Sequence, residues 1–153
     1  MISKKTKYAL KALGFLARSH DKEAFLIAEM AQEENIPKKF LEAILLTLKN
    51  QGILASKKGP GGGYSLAVSP ATLTIGRIVR AFEGDLSPVP CLGDAAPVKC
   101  PECADLGTCG IRLVMGEVKE AVSSVLDRIT LAGMLEMSER ERQRRLKMID
   151  YTI

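Results

Sequence analysis

Lys57-Lys58-Gly59-Pro60-Gly61-Gly62-Gly63-Tyr64 decides how this chain is read. The unbroken glycine and proline run can continue neither a helix nor a regular strand. Short apolar segments flank it at 53–56 and 64–67, so the stretch predicts a two-stranded hairpin with a basic, glycine-rich tip. The run lacks the Gly-Lys-Ser/Thr ending and does not open a helix, which sets aside a phosphate-binding loop.

Working outward, three helices are expected before the hairpin. Residues 3–18 carry a capping Ser3 and the apolar side Tyr8, Ala12, Phe15 and Leu16. Residues 27–34 form a short second helix with Ile27, Met30 and Ala31 inward. After a turn at Asn35 and Ile36, Pro37 stands at the first turn of a third helix. Its buried stripe is Phe40, Leu41, Ile44, Leu45 and Leu48, and Gly52 supplies the left-handed stop. Beyond the hairpin, Thr74 caps a fourth helix that buries Ile75, Ile78, Val79 and Phe82 and ends at Gly84.

Helix, helix, tight turn, helix and hairpin is the order of a winged helix-turn-helix. The expected fold is mostly α with a small β-hairpin wing, followed by a long C-terminal dimerisation helix. In that motif the start of the third helix enters the major groove. The candidate DNA-binding residues there are Pro37, Lys38, Lys39 and Glu42. Lysine reaches guanine O6 and N7, and glutamate accepts from cytosine N4. The wing, from Lys57, Lys58, Gly59, Pro60, Gly61, Gly62 and Gly63 to Tyr64, offers lysines to phosphates and glycines for close backbone approach.

Charge agrees with a polyanionic partner. The 153 residues carry a net +4, yet residues 1–80 hold 13 Lys/Arg against 6 Asp/Glu, whereas residues 81–153 hold 9 against 12. The basic half is the one with the hairpin, and double-stranded DNA is the expected partner. No apolar run reaches membrane-spanning length, and Lys11 interrupts the N-terminal apolar pattern where a signal peptide would be continuous. A cytoplasmic protein is expected. With one histidine and no nucleophile beside a base, an enzyme is not.

All four cysteines, Cys91, Cys100, Cys103 and Cys109, fall in a proline- and glycine-rich segment at 85–110. A reducing compartment turns them from disulfides toward metal or redox chemistry. Thiolates hold iron–sulfur clusters. Structural zinc also takes four cysteines, but favours two pairs with two-residue gaps, and only Cys100-x2-Cys103 has one. A metal-free thiol switch is the third alternative. Outside DNA binding, a zinc-stapled protein-interaction module is the competing reading.

Residues 111–135 are expected to form one long helix, with Ile111, Val114, Val118, Val122, Val125, Ile129 and Ala132 in a stripe that can pack on the core or on a partner helix. The expected division is 1–84 for DNA binding, 85–110 for the cysteine loop, 111–137 for dimerisation and 138–153 for a charged tail. Ser138 and Glu141 make a candidate capping box for that tail.

The wing 57–64 resembles the signature of the Rrf-two family of bacterial transcription regulators, whose cluster-binding members include IscR and NsrR. Tyr8-Ala9-Leu10, Ile36-Pro37 through Phe40-Leu41-Glu42, and Ile75 through Arg80-Ala81 fit as well. The resemblance spans about residues 1–135 and implies a homodimer on operator DNA, joined through 111–135; repression is the expected action, although whether a regulator represses or activates depends on where its operator lies. It also implies an iron–sulfur cluster, 2Fe-2S or 4Fe-4S. Cys103-x5-Cys109 matches the family's last cysteine pair and Cys91 its first. Cys100 lies inside a longer first gap, and position 112 holds Arg112 where some members carry histidine. Cys100 or His20 is then the candidate for a fourth ligand.

Overall fold

The computed structural model describes residues 2–19, 23–95 and 97–150. His20 lies outside the described residues. The order is α1 (Lys4–Arg18), α2 (Ile27–Glu33), α3 (Lys38–Asn50), β1 (Leu54–Lys57), β2 (Gly63–Leu66), α4 (Ile75–Glu83), a 3₁₀ turn (Pro90–Leu92), α5 (Gly110–Arg128) and α6 (Leu131–Asp150).

The expected caps form. Ser3 accepts from the Thr6 amide at 3.3 Å, and Thr74 accepts from the Arg77 amide at 3.2 Å. Pro37 sits one residue earlier than expected, at the N-cap of α3. Gly52 takes a φ of +67° after α3, as its stop requires. β1 and β2 pair antiparallel with Leu54 opposite Leu66 and Lys57 opposite Gly63.

The core gathers Leu13 and Leu16 of α1, Met30 of α2, Leu41, Ile44, Leu45 and Leu48 of α3, Ile53, Leu73, and Ile75, Ile78 and Val79 of α4. Each such large side chain fully buried contributes about 1.5–3 kcal/mol of transfer free energy. Ile27, Ala31 and Phe82 are only half-buried. Phe40 departs from the expected stripe: it is exposed, edge-on to the Tyr8 ring with centroids 6.1 Å apart. The fully buried residue of that turn is Leu41.

The single helix expected over 111–135 is two. Ile129 has extended backbone, with φ −87° and ψ 123°. Thr130 bridges antiparallel to Thr74. The Ile75 amide donates to the Ile129 carbonyl, and the Leu131 amide to the Leu73 carbonyl, both at 2.8 Å. These bonds draw Leu131 wholly into the core of the N-terminal half. Breaking the helix here exchanges local hydrogen bonds for long-range ones and gains a buried leucine. The boundary expected at 137/138 falls inside α6. Ser138 therefore caps nothing, and Glu141 instead pairs along the helix with Arg145 at 3.0 Å.

Candidate nucleic-acid interface and cysteine cavity

The turn between α2 and α3 closes with Asn35 at φ +52°, and Pro37, Lys38, Lys39 and Glu42 are all exposed at the start of α3. Lys57 and Lys58 are exposed at the wing, Lys57 in a 3.5 Å ion pair with the open Glu23. Such a pair is weak and easily exchanged for a phosphate. The wing glycines have separate reasons. Gly59 and Gly61 take φ of +89° and +70°. A Cβ on Gly62 would stand 2.4 Å from the Lys57 carbonyl oxygen. A Cβ on Gly63 would stand 2.2 Å from the Phe25 carbonyl oxygen, because Tyr64 and Phe25 form a bridge joining the wing to the chain before α2.

Cys91, Cys100, Cys103 and Cys109 line one cavity of about 280 Å³, walled also by Val89, Pro90, Val98, Ile111 and Arg112. All four are free thiols, half-buried. The Cys103 thiol donates to the Cys109 sulfur across 3.6 Å. That is far beyond a disulfide bond of about 2.05 Å. It is close to the ~3.8 Å that separates two sulfurs on one tetrahedral metal with metal–sulfur bonds near 2.3 Å. Among the described residues, the sulfurs line walls rather than forming a closed coordination shell.

Helix α5 begins at this cavity, with Cys109 as its N-cap. The Arg112 and Ile111 amides, with the Cys103 thiol, hold the Cys109 sulfur below the ordinary thiol range. The same contact with Cys109, then Cys100, pushes the Cys103 thiol up. Of these two sulfurs, Cys109 is the more easily ionised. The Cys100 thiol donates to Glu102 at 2.8 Å, which holds that carboxylate low. Asp105 accepts from the Gly107 amide at 3.0 Å and the Thr108 hydroxyl at 2.9 Å, shaping the turn into Cys109.

A second set of residues, not evident in the sequence, pins the loop around Cys91. Lys119 of α5 donates to the Leu92 carbonyl at 2.7 Å and to Asp94. Asp85 accepts from the Ser87 hydroxyl at 2.6 Å and the Asp94 amide at 2.7 Å, which holds its carboxyl at about 2. Residues 85–94 and 119 thus form one polar knot, readable only once α5 is laid against the loop.

The chemistry of the lining, though not a preformed ligand geometry among the described residues, fits an iron–sulfur centre. The cavity's donors are thiols, its walls are largely apolar, and the buried Arg112 Nε in the wall has no hydrogen-bond partner. Helix α5 also leaves Ile111, Val114, Val118, Val122 and Val125 between 42% and 69% exposed, in the expected stripe. No helix among the described residues is long and apolar enough to cross a membrane.

Comparison with known proteins converges. The Rrf2 family, described as iron-dependent transcriptional regulators, matches residues 2–137. An Rrf2-like HTH-type transcriptional regulator of Rhodobacter capsulatus is 43% identical over 88% of this chain and 92% of that protein. The solved structure of CymR, the global cysteine regulator of B. subtilis, superposes with a TM-score of 0.72 at 30% identity, covering 90% of this chain and 97% of that one. The structure of T. potens IscR superposes at 0.70 with 27% identity, covering 92% and 90%.

Proposed function

The chain belongs to the Rrf2 family of transcriptional regulators, and from that premise we propose that it is a homodimeric repressor whose operator binding is controlled by an iron–sulfur cluster in the cysteine cavity. The observation that carries the reading is the placement of Cys91, Cys100, Cys103 and Cys109 around one cavity at the start of α5. These four would hold the cluster. When bound, it supplies a centre whose oxidation state and integrity respond to oxidants, nitric oxide or iron supply.

The chain's own residues carry the rest. Lys38, Lys39 and Glu42 read base edges in the major groove, with Pro37 setting their approach. Lys57 and Lys58 hold phosphates, and Gly59 through Tyr64 shape the wing that brings them there. The exposed valines of α5 meet the same face of a second copy. Such an apolar stripe is costly to leave in water. Asp127 of α5 and Arg80 of α4 join in a two-bonded ion pair at 2.6 and 2.9 Å. Together with the Thr74–Thr130 bridge, this ties the cavity's helix to the DNA-binding half. A change at the cavity therefore has a covalent and packed route to the reading helices.

A second reading, a metal-free thiol switch, draws on the 3.6 Å Cys103–Cys109 contact and on the likeness to CymR. One preparation separates the two. Protein purified without oxygen is assayed for visible absorption, iron, sulfide and zinc, and its operator affinity is measured before and after cluster removal. Charge-transfer bands with matching iron and sulfide, and an affinity that changes on removal, are expected. A colourless protein that stays so after reconstitution refutes the cluster; zinc in it would make the loop a structural staple.

A further inference from the structure

We propose that Arg112 is the outer-shell cation of the cysteine cavity: its buried Nε–H donates to anionic sulfur of the bound centre, holding and charge-compensating it without being a ligand. This rests on the cluster reading above and adds a role for a residue which that reading leaves unused.

Three observations meet at this side chain. Arg112 lines the same cavity as all four cysteines. Its Nε is buried without a hydrogen-bond partner, although nearly all buried donors in folded proteins have one. It lies one helical turn from Cys109, the N-cap residue of α5. Four thiolates around a cluster leave net negative charge in a largely apolar pocket. A guanidinium keeps its donors in a fixed plane. It is suited to hydrogen-bond sulfur and a poor metal ligand for the same reason.

Hydrogen bonds and positive charge at cluster sulfur raise the reduction potential, and loss of an outer-shell partner typically costs about 10–100-fold in metal affinity. The test compares wild type, Arg112→Lys and Arg112→Gln after anaerobic reconstitution. Iron and sulfide content, midpoint potential by dye-mediated titration, and the rate of iron release to a chelator are read on each, with thermal unfolding of the apo proteins as the control for folding. The expected result is full iron and sulfide in all three. Arg112→Gln should have a lower midpoint and release iron about tenfold faster or more. Arg112→Lys should fall between, because it keeps the charge and loses the fork. An unchanged midpoint and release rate in Arg112→Gln overturns the proposal. So does an altered ligand signature in the electron paramagnetic resonance spectrum of the reduced variant, which would make Arg112 a ligand. Wild type that takes up no iron and sulfide overturns the cluster reading itself, and does so before any variant is compared.

Discussion

Gly76 of α4 carries a prediction that can be worked through from distances. A Cβ there would lie 1.9 Å from Asp127 Oδ1 and 2.7 Å from Arg80 Nη1. For ordinary contact the carboxylate must retreat by about 1.5 Å, which the Arg80–Asp127 bonds cannot follow. The side chains of the pair are 37% and 48% exposed, so water screens them and their loss costs about 0.2–1 kcal/mol. Overpacking between α4 and α5 adds about 1–3 kcal/mol. Alanine recovers up to about 1 kcal/mol of helix propensity over glycine. Gly76→Ala should therefore destabilise by roughly 0.2–3 kcal/mol, a fall in Tm of up to about 12 °C for a chain of this size. In an Asp127→Ala background the obstruction is gone, and the same substitution should become neutral or stabilising. A double-mutant cycle by denaturant unfolding at one protein concentration measures the difference. An equal cost of Gly76→Ala in both backgrounds would refute the account of how α5 is held to α4.

Lys58→Ala should weaken binding to most DNA sequences and reduce the slope of log affinity against log salt by about 1, whereas Lys39→Ala should change sequence preference; binding of varied duplexes across a salt series checks both. Val118→Glu should place a charge in the centre of the α5 stripe and yield a monomer by light scattering; a dimer of unchanged affinity would move the interface elsewhere. The Ser3 side chain, then the buried Thr6 hydroxyl and the Ser3 amide at 2.7 Å, hold the Glu83 carboxyl at about 2 against an ordinary 4.5. A depressed carboxylate stabilises the fold above the ordinary value and loses that contribution as pH falls toward 2. The Tm deficit of Glu83→Gln should thus be full at pH 7 and close below pH 4.5, and a deficit constant with pH would refute this.

The N-terminal half was legible because its signals are local. Ser3, Thr74 and Gly52 cap or stop helices within a turn of themselves, and the run at 59–63 admits little but a hairpin tip. The break at Ile129 and Thr130 was not. Val125, Ile129 and Ala132 continue the three-to-four spacing across it, with no glycine or proline to mark it. What ends the helix is a bridge to Thr74, 56 residues away, and periodicity has no access to that distance. Phe40 misled for a related reason: apolar residues adjacent in a helix face differently, and Leu41 alone turns inward. The four cysteines were evident as a group, but the Lys119 knot and the orphaned Arg112 Nε appear only where α5 meets the loop.

Under the proposed function, the seam at Thr74 and Thr130 would make α5 a lever with its fulcrum inside the half that binds DNA. From Cys109 to Asp127 the helix axis runs about 27 Å at 1.5 Å per residue. Each degree of pivot near Asp127 then sweeps Cys109 sideways by about 0.5 Å, on a lever arm of that length. The arm favours force over travel: a displacement of ångströms at the cysteine end reaches the fulcrum as only a few degrees of rotation. In a two-fold dimer those degrees are applied to both halves in opposite senses. Because successive half-sites lie about 34 Å apart on DNA, alignment of two reading helices with their grooves is the quantity such a rotation changes most directly.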